Sequence, residues 1–330
     1  MSVLITGGAG YIGSHMVWQL VDAGETVVVL DNLSTGFKWA VAPEAAVVVG
    51  DIGDEALVRD IIATHNVEAI IHFAGSVVVP DSVSDPLGYY LNNTMKARSL
   101  IAAAVAGGVR NFVFSSTSAV YGTPEVMPVP ETAPFKPESP YGRSKMMVEL
   151  ILADTAVAHD FRYVALRYFN VAGADPKGRT GQSTKGATHL IKVACEAALG
   201  KRGDMTIYGT DYPTPDGTCI RDYIHVTDLV AAHSEALKHL RGGGDSMVAN
   251  CGYGHGYSVI DVVDTVKDVS GRDFKVILGP RRPGDATAVV ASPALIMSKF
   301  GWKPQHDDLA GIVRDALAWE AALERRNQRD

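Results

Sequence analysis

S-V-L-I-T-G-G-A-G-Y-I-G-S-H-M runs from Ser2 to Met16. The first five residues read as a short apolar strand. Glycines follow at 7, 8, 10 and 13, and those at 7, 10 and 13 have G-x-x-G-x-x-G spacing. From Tyr11 to Ala23 the apolar residues Ile12, Met16, Val17, Leu20 and Val21 recur at helical spacing. A strand feeding a glycine turn and then a helix brings bare backbone N–H groups up to a phosphate, with no side chain in the way. A glycine triplet alone is a weak signal; its place between a strand and a helix gives it weight. The next strand, Thr26–Leu30, leads into Asp31, eighteen residues past Gly13. A carboxylate there accepts hydrogen bonds from ribose hydroxyls and repels a 2′-phosphate. Asn32-Leu33-Ser34 supplies no arginine to offset that repulsion. The implied cofactor is NAD rather than NADP. Asp51-Ile52, after the third strand, stands where an adenine would rest.

The pattern continues outward. Strand-like runs at Val47–Val49, Glu68–Phe73, Asn111–Ser115 and Tyr163–Arg167 alternate with helical runs at Asp54–Thr64, Leu87–Ala106 and Tyr141–His159. Near-continuous Val/Ile strands between helices predict a parallel sheet covered on both faces. The fold class is α/β: a Rossmann-like doubly wound sheet over residues 1–170, with a smaller mixed α/β substrate domain over 171–330 and some interleaving of the two. Gly173–Gly186 reads as an excursion or lid. Helices are expected at Thr188–Leu199, His225–Leu240, Val259–Ser270 and Leu309–Arg326. Short strands are expected near Met205–Tyr208, Met247–Asn250 and Phe274–Leu278, and Arg241–Asp245 reads as a flexible link.

Composition narrows the function classes. The net charge of -7, without any Lys/Arg cluster on one element, argues against a nucleic-acid surface. Cys195, Cys219 and Cys251 are few, odd in number and widely spaced, which argues against a disulfide framework or a zinc site. No apolar run reaches the ~18 residues of a membrane span, and the N-terminus lacks a leader pattern. The ten histidines show no metal-ligand spacing, and no G-x-S-x-G is present. A cytoplasmic protein without a metal is expected.

S-P-Y-G-R-S-K, Ser139–Lys145, opens a helix with Pro140 in its first turn. Tyr141 and Lys145 are four apart and share one face. A phenol has a pKa near 10, so a base working near neutrality needs nearby positive charge, and Lys145 is placed to supply it. Thr117 follows the strand Asn111–Ser115 and offers a hydroxyl in the same crevice.

Together the glycine triplet, Y-x-x-x-K, H-F-A-G (His72–Gly75) and S-S-T-S-A-V-Y-G (Ser115–Gly122) resemble the extended short-chain dehydrogenase/reductase family. L-R-Y-F-N-V-A-G-A (Leu166–Ala174), the run Tyr208–Val226 and P-R-R-P-G-D (Pro280–Asp285) narrow the resemblance to its UDP-glucose 4-epimerase branch. The resemblance spans the chain. It implies a tightly held NAD that is not consumed. UDP-glucose and UDP-galactose would interconvert through a 4-keto sugar that turns over between loss and return of the C4 hydride.

Carried over by that resemblance, Tyr141 is the base, Lys145 and Thr117 assist it, and Tyr141 and Lys145 also touch the cofactor. Gly7, Gly10, Tyr11, Ile12, Gly13, Asp31, Asn32, Ser34, Asp51, Ile52, Phe73, Ala74, Gly75, Asn92 and Phe169 would contact NAD. Thr117, Asn170, His189, Leu190, Tyr208, Arg221, Arg282, Asp285 and Val289 would contact the UDP sugar. Guanidinium groups at 221 and 282 suit a diphosphate. A homodimer is implied through helices Leu87–Ala106 and Tyr141–His159.

Four positions depart from the family pattern. Thr117 replaces a frequent serine. Val77 stands where many members carry a cofactor-contacting lysine. His189 replaces a common asparagine. Val289 replaces a large tyrosine found in some members, leaving room for an N-acetyl group. A 4,6-dehydratase is disfavoured, because Ser118-Ala119 holds no carboxylate. A 4-epimerase of another UDP sugar and a non-catalytic NAD-binding sensor remain open readings.

Overall fold

The computed structural model describes residues 1–282 and 285–327. Pro283 and Gly284 of P-R-R-P-G-D lie outside the described residues, as do the last three positions. The first strands are β1 (Ser2–Thr6), β2 (Val27–Asp31), β3 (Ala46–Val49), β4 (Val67–His72), β5 (Asn111–Thr117), β6 (Arg162–Tyr168) and β7 (Asn170–Ala172). The second half adds β8 (Met205–Tyr208), β9 (Ile220–Arg221), β10 (Tyr223–His225), β11 (Met247–Cys251), β12 (Tyr257–Ser258), β13 (Val276–Gly279) and β14 (Ala288–Val289). Seven of them form a parallel sheet ordered β11-β6-β5-β4-β1-β2-β3. The order reverses between β1 and β4, the crevice where such a sheet binds ligands.

Strand periodicity divides the core in two. Val3, Ile5, Val29, Ile71 and Leu166 face helices Tyr11–Asp22 and Val226–Arg241. Leu4, Val28, Leu30, Ile70, Phe112 and Phe114 face Glu55–His65, Lys96–Ala106 and Pro140–Ala158. The outermost strand β11 comes from the C-terminal half, pairing with β6 from Met247↔Val164 to Cys251↔Tyr168. The two halves therefore share one sheet. The other strands form three small sheets: β7 with β10, β9 between β12 and β14, and β8 with β13.

Several elements differ from the sequence expectation. The helix expected over Leu87–Ala106 is Pro86–Tyr89, a π-helical stretch Tyr90–Met95, and Lys96–Ala106. That stretch bears Asn93 and Thr94, which bond Ser76 and Ser144 across the crevice; a π-turn of this kind re-aims side chains at a functional site. Strand β5 runs to Thr117, so Thr117 ends the strand rather than following it. His189 caps the N-terminus of Leu190–Ala198 and is not inside the helix.

Gly173–Gly186 is not a free lid. The Tyr11 hydroxyl donates to Gly173 O at 2.6 Å, and the Ser14 and Thr180 hydroxyls bond at 2.7 Å. Gly181 lies so close to Trp319 that a Cβ there would sit 2.4 Å from the indole. Arg326 donates to the carbonyls of Gly178 and Arg179. The glycine and charge content that suggests looseness instead permits close approach to an aromatic ring and pairing of Arg179 with Asp175 and Asp22.

Among the described residues no helix is long and apolar enough to cross a membrane, and the three cysteines are free and buried. His225, His306 and Asp315 come together although their spacing in sequence gives no hint of it. His225 Nδ1 accepts from Thr227 N at 3.0 Å, so its proton sits on Nε2, 3.2 Å from Asp315 Oδ2. Both nitrogens of the His225 ring are thereby engaged, and His306 stacks on that ring with centroids 4.6 Å apart.

Candidate active site

The glycine loop shows why each glycine stands where it does. A Cβ on Gly7 would lie 2.6 Å from Ala74 N, and one on Gly13 would lie 2.1 Å from Gly7 O. Those two positions are closed by backbone. Gly10 is different: its nearest atom to a Cβ would be Gly7 O at 3.3 Å, and a side chain there would project into the open cradle. Gly10 caps helix Tyr11–Asp22 without any side-chain bond, and no acidic residue occupies the first turn. The free N–H groups and dipole of that helix end suit a pyrophosphate. A shallow recess adjoins it, lined by Gly10, Tyr11, Ser14, Thr35, Gly181 and Thr184 among others. The residues present thus fit a dinucleotide.

Asp31, buried at the end of β2, accepts from Ala9 N at 2.9 Å and Leu33 N at 2.8 Å. It braces the glycine loop while keeping lone pairs for a ribose. Asn32 and Ser34 are exposed beside it, bonded to each other through Asn32 Oδ1 and Ser34 N. Ile52 is buried. Asp51 is paired with Lys96 at 2.5 Å and accepts from Gly53 N. Burial alone would raise its pKa, but these bonds hold the carboxyl below the usual range. Lys96, forty-five residues away, gives no sign of this pairing in the sequence.

Phe73 N and Ala74 N both donate to Thr6 O, which seats the end of β4 beside the glycine loop. Gly75 is close enough that a Cβ there would be 3.6 Å from Lys145 Nζ. Asn92 reaches Ser76 Oγ at 2.9 Å. The buried Asn93, which the sequence reading passes over, does more. It accepts from Ser76 N and donates to Ser76 O and Ser144 Oγ, tying the loop after β4 to the helix of Tyr141. Val77 is exposed.

Tyr141, Lys145 and Thr117 are all buried at this crevice. Ser139 caps the helix by accepting from Gly142 N at 3.1 Å, with Pro140 beside it. Lys145 Nζ donates to Ser115 O at 3.1 Å and lies 4.9 Å from the Phe114 ring centre. Burial pulls the Lys145 pKa down to about 8. Burial pushes Tyr141 up to about 12, opposed in part by a hydrogen bond with Thr117. The expected lowering of the phenol by Lys145 is absent from the protein alone, where desolvation is the largest effect on Tyr141. His72 is also kept neutral. Burial first, then the Lys145 ammonium, bring its pKa down to about 3, and Nδ1 pairs with the Thr6 hydroxyl at 2.7 Å.

Phe169 packs with Val120, Tyr121, Val129, Ala291 and Val289. Val289 pairs in register with Arg221 across β14 and β9. Arg221 lies 4.0 Å from Asp285, and Arg282 Nε donates to Asp285 Oδ2 at 2.9 Å. The Arg282 guanidinium lies 4.8 Å from the Tyr208 ring centre. Arg221, Arg282, Asp285 and Tyr208 thus form one cluster, joined through Val289 to the wall against Phe169. Asp222, buried and unremarked in the sequence reading, fixes this cluster by accepting from the N–H groups of Tyr253, Gly254 and Ala291. Asn170, His189 and Leu190 line a separate cleft of ≈ 450 Å³ reaching back to Trp319 and Glu320. Its lining does not include Tyr141 or Arg221.

The sequence pattern of the NAD dependent epimerase/dehydratase family matches residues 3–252. The chain belongs to that family. It is 55% identical over 322 residues to a UDP-glucose 4-epimerase of Azospirillum brasilense, covering 98% of this chain and 92% of that one. The fold superimposes with TM-score 0.94 on a UDP-glucose 4-epimerase of Brucella ovis solved with NAD, at 45% identity over 96% of this chain and 97% of that one. It superimposes with TM-score 0.85 on a UDP-Glc/GlcNAc 4-epimerase of Campylobacter jejuni, also 45% identical, over 97% and 99% of the two chains. In this family member the glycine loop, Asp31 and the Tyr141–Lys145 helix all open on one crevice.

The buried lysine gives a stability signature. The unfolded chain binds the Lys145 proton near 10.5, the folded protein only near 8. Below about pH 8 the ammonium is buried at a constant cost of about 3 kcal/mol. That cost fades as pH rises from 8 towards 10.5. Without added ligand, Lys145→Met is expected to melt at a higher temperature than the unsubstituted protein at pH 7, with the gap shrinking by pH 10. A variant that melts lower at pH 7, or a gap independent of pH, contradicts this account.

Proposed function

We propose that this protein interconverts UDP-glucose and UDP-galactose by oxidising C4 of the hexose, letting the 4-keto sugar turn over, and reducing it from the other face. The observation that carries this is the buried Thr117–Tyr141–Lys145 group, set at the sheet's switch point beside a cradle built for NAD. Chains similar to this one over nearly their whole length bear the same activity in their names.

Bound NAD supplies the hydride acceptor and a positive charge beside Tyr141. That charge favours the phenolate, which burial alone disfavours. Tyr141 takes the C4 hydroxyl proton directly or through the Thr117 hydroxyl, and returns it in the reverse step. Lys145, anchored on Ser115 O, stabilises the phenolate and would hold the nicotinamide ribose of NAD. Phe169 and Val289 wall the space in which the sugar turns. Arg221 and Arg282 fork onto the diphosphate, with Asp285 accepting from ribose hydroxyls. Tyr208 completes the nucleotide side, while Asn170, His189 and Leu190 line the neighbouring cleft. A strongly held nucleotide with a loosely held hexose permits turnover without release.

A second reading concerns the sugar. Val289 is a small side chain on the wall beside Phe169, and it leaves space for a 2-acetamido group. UDP-N-acetylglucosamine is therefore included as a substrate of the same site.

The protein acts as a homodimer. Leu87, Leu91 and Met95 are exposed at helical spacing, and Met147 and Leu150 are exposed on the neighbouring helix. Met146, Val148 and Ile101, apolar in the same helices, point inward instead. Free buried cysteines suit a reducing cytoplasm.

With purified protein and UDP-galactose, UDP-glucose is expected to form, and Tyr141→Phe is expected to lower kcat by about 10²–10⁴-fold. Unchanged turnover in that variant removes Tyr141 as the base. Under the same assay UDP-N-acetylglucosamine gives UDP-N-acetylgalactosamine; no product from it sinks the acetamido reading. Sedimentation is expected to give twice the chain mass, and Leu91→Glu to shift it towards one chain. A monomeric parent protein rejects the dimer.

A further inference from the structure

Tyr141 and Lys145 share their helix face with a third polar residue, Glu149, one further turn along. Glu149 is 3% exposed, and it touches neither the cradle nor the UDP cluster. One of its oxygens accepts the Ser116 hydroxyl proton. Arg167 on β6 grips both oxygens: Nε lies 3.0 and 3.1 Å from Oε1 and Oε2, and a terminal nitrogen lies 2.6 Å from Oε2. Ser116 lies between Ser115, whose carbonyl holds Lys145, and Thr117, whose hydroxyl meets Tyr141. Two contacts of the reaction group, one to a backbone carbonyl and one to a hydroxyl, are thus set by one strand end, and that strand end is pinned to the helix through Ser116 and Glu149.

The pin continues past Arg167. Another of its nitrogens donates to the Tyr121 hydroxyl at 2.8 Å, and Tyr121 donates to Asn250 Oδ1 at 2.7 Å. Asn250 donates from Nδ2 to Val129 O and from its backbone N–H to Glu131 Oε1. Val129 N donates to Val290 O at 2.8 Å, next to Val289. The Arg167 guanidinium also stacks on the Tyr121 and Phe135 rings at 4.9 and 4.7 Å. A guanidinium gripped by one carboxylate still has further N–H donors that burial requires to be paired. This one spends its remaining donors on a route from the strand end of Thr117 to the wall of Val289.

We propose that Glu149, Arg167 and Ser116 are positioning residues for the epimerisation: they fix Thr117 and the Ser115 carbonyl against Tyr141 and Lys145. The inference rests on the reading of the site as a UDP-sugar 4-epimerase. A positioning role predicts loss in the chemical step rather than in binding, because misplacement by about 1 Å is enough to lower a rate ~10²-fold. It also predicts a graded response, since Ser116→Ala removes only the pin to the strand while leaving the Glu149–Arg167 pair complete.

The test compares Ser116→Ala and Glu149→Gln with the unsubstituted protein and with Tyr141→Phe, all loaded with NAD. Steady-state kinetics on UDP-galactose and melting temperature are measured for each. Ser116→Ala is expected to keep its melting temperature within a few degrees and its KM within about two-fold, while kcat falls about 10–100-fold. Glu149→Gln, which keeps the shape but loses the charge facing Arg167, is expected to fall at least as far in kcat and to melt lower. If Ser116→Ala turns over at the unsubstituted rate, or if KM rises with kcat unchanged, the pin does not position the reaction group and the proposal is overturned. Should Glu149→Gln fail to fold, Ser116→Ala still decides. An unsubstituted protein that does not epimerise UDP-galactose overturns the functional reading instead, separately from this one.

Discussion

Backbone N–H groups at the start of helix Tyr11–Asp22 stand open because Gly10 carries no side chain and no residue caps that end. Such an end, left to water when empty, is a ready-made seat for an anionic group. The neighbouring contacts follow from that constraint. Gly7 and Gly13 must be bare so that the loop folds tightly against Ala74 and itself. Asp31 holds the loop through Ala9 N, and Tyr11 and Ser14 on the first turn anchor the segment from Gly173 to Thr180. A segment from the second half of the chain is thereby brought over the opening formed by the first.

Burial sets the chemistry of the neighbouring helix. Tyr141, Lys145 and His72 are all shifted towards their uncharged forms by desolvation. In that state the phenol is a poor base. Under the proposed mechanism the positive charge of bound NAD would add to that of Lys145 and favour the phenolate. The same burial excludes water from a keto sugar that must turn over without escaping. The wall formed by Phe169 and Val289 lies next to the strand that carries Arg221, so under the proposed reading the grip on the nucleotide and the room given to the sugar would be set by adjacent residues.

Much of this was legible in the sequence where a local rule holds. The glycine spacing, the apolar strands of the parallel sheet and the Tyr141–Lys145 turn each depend on residues a few positions apart. What stayed hidden depends on distant partners. Lys96 meets Asp51 only after the sheet has formed. Asn93 gains its place from a π-turn that no apolar periodicity reveals. The segment Gly173–Gly186 reads as loose because glycine and charge are usually solvated, yet Trp319 and Arg326, far along the chain, hold it down. The acidity of Tyr141 was read from a neighbouring charge, while depth of burial, which a sequence does not state, dominates it. The boundary near residue 170 follows the change in rhythm, but β11 returns to the first sheet. Arg221, Arg282 and Asp285 were named by motif, and their clustering is visible only in three dimensions.

The central claim is that a hydrogen leaves C4 and returns to it without meeting solvent. Incubating the protein with UDP-galactose in deuterated water and reading the C4 position of the product by NMR tests this most directly. The account predicts UDP-glucose carrying its original hydrogen at C4 and no deuterium there. Deuterium incorporated at C4, or no UDP-glucose at all, would contradict it.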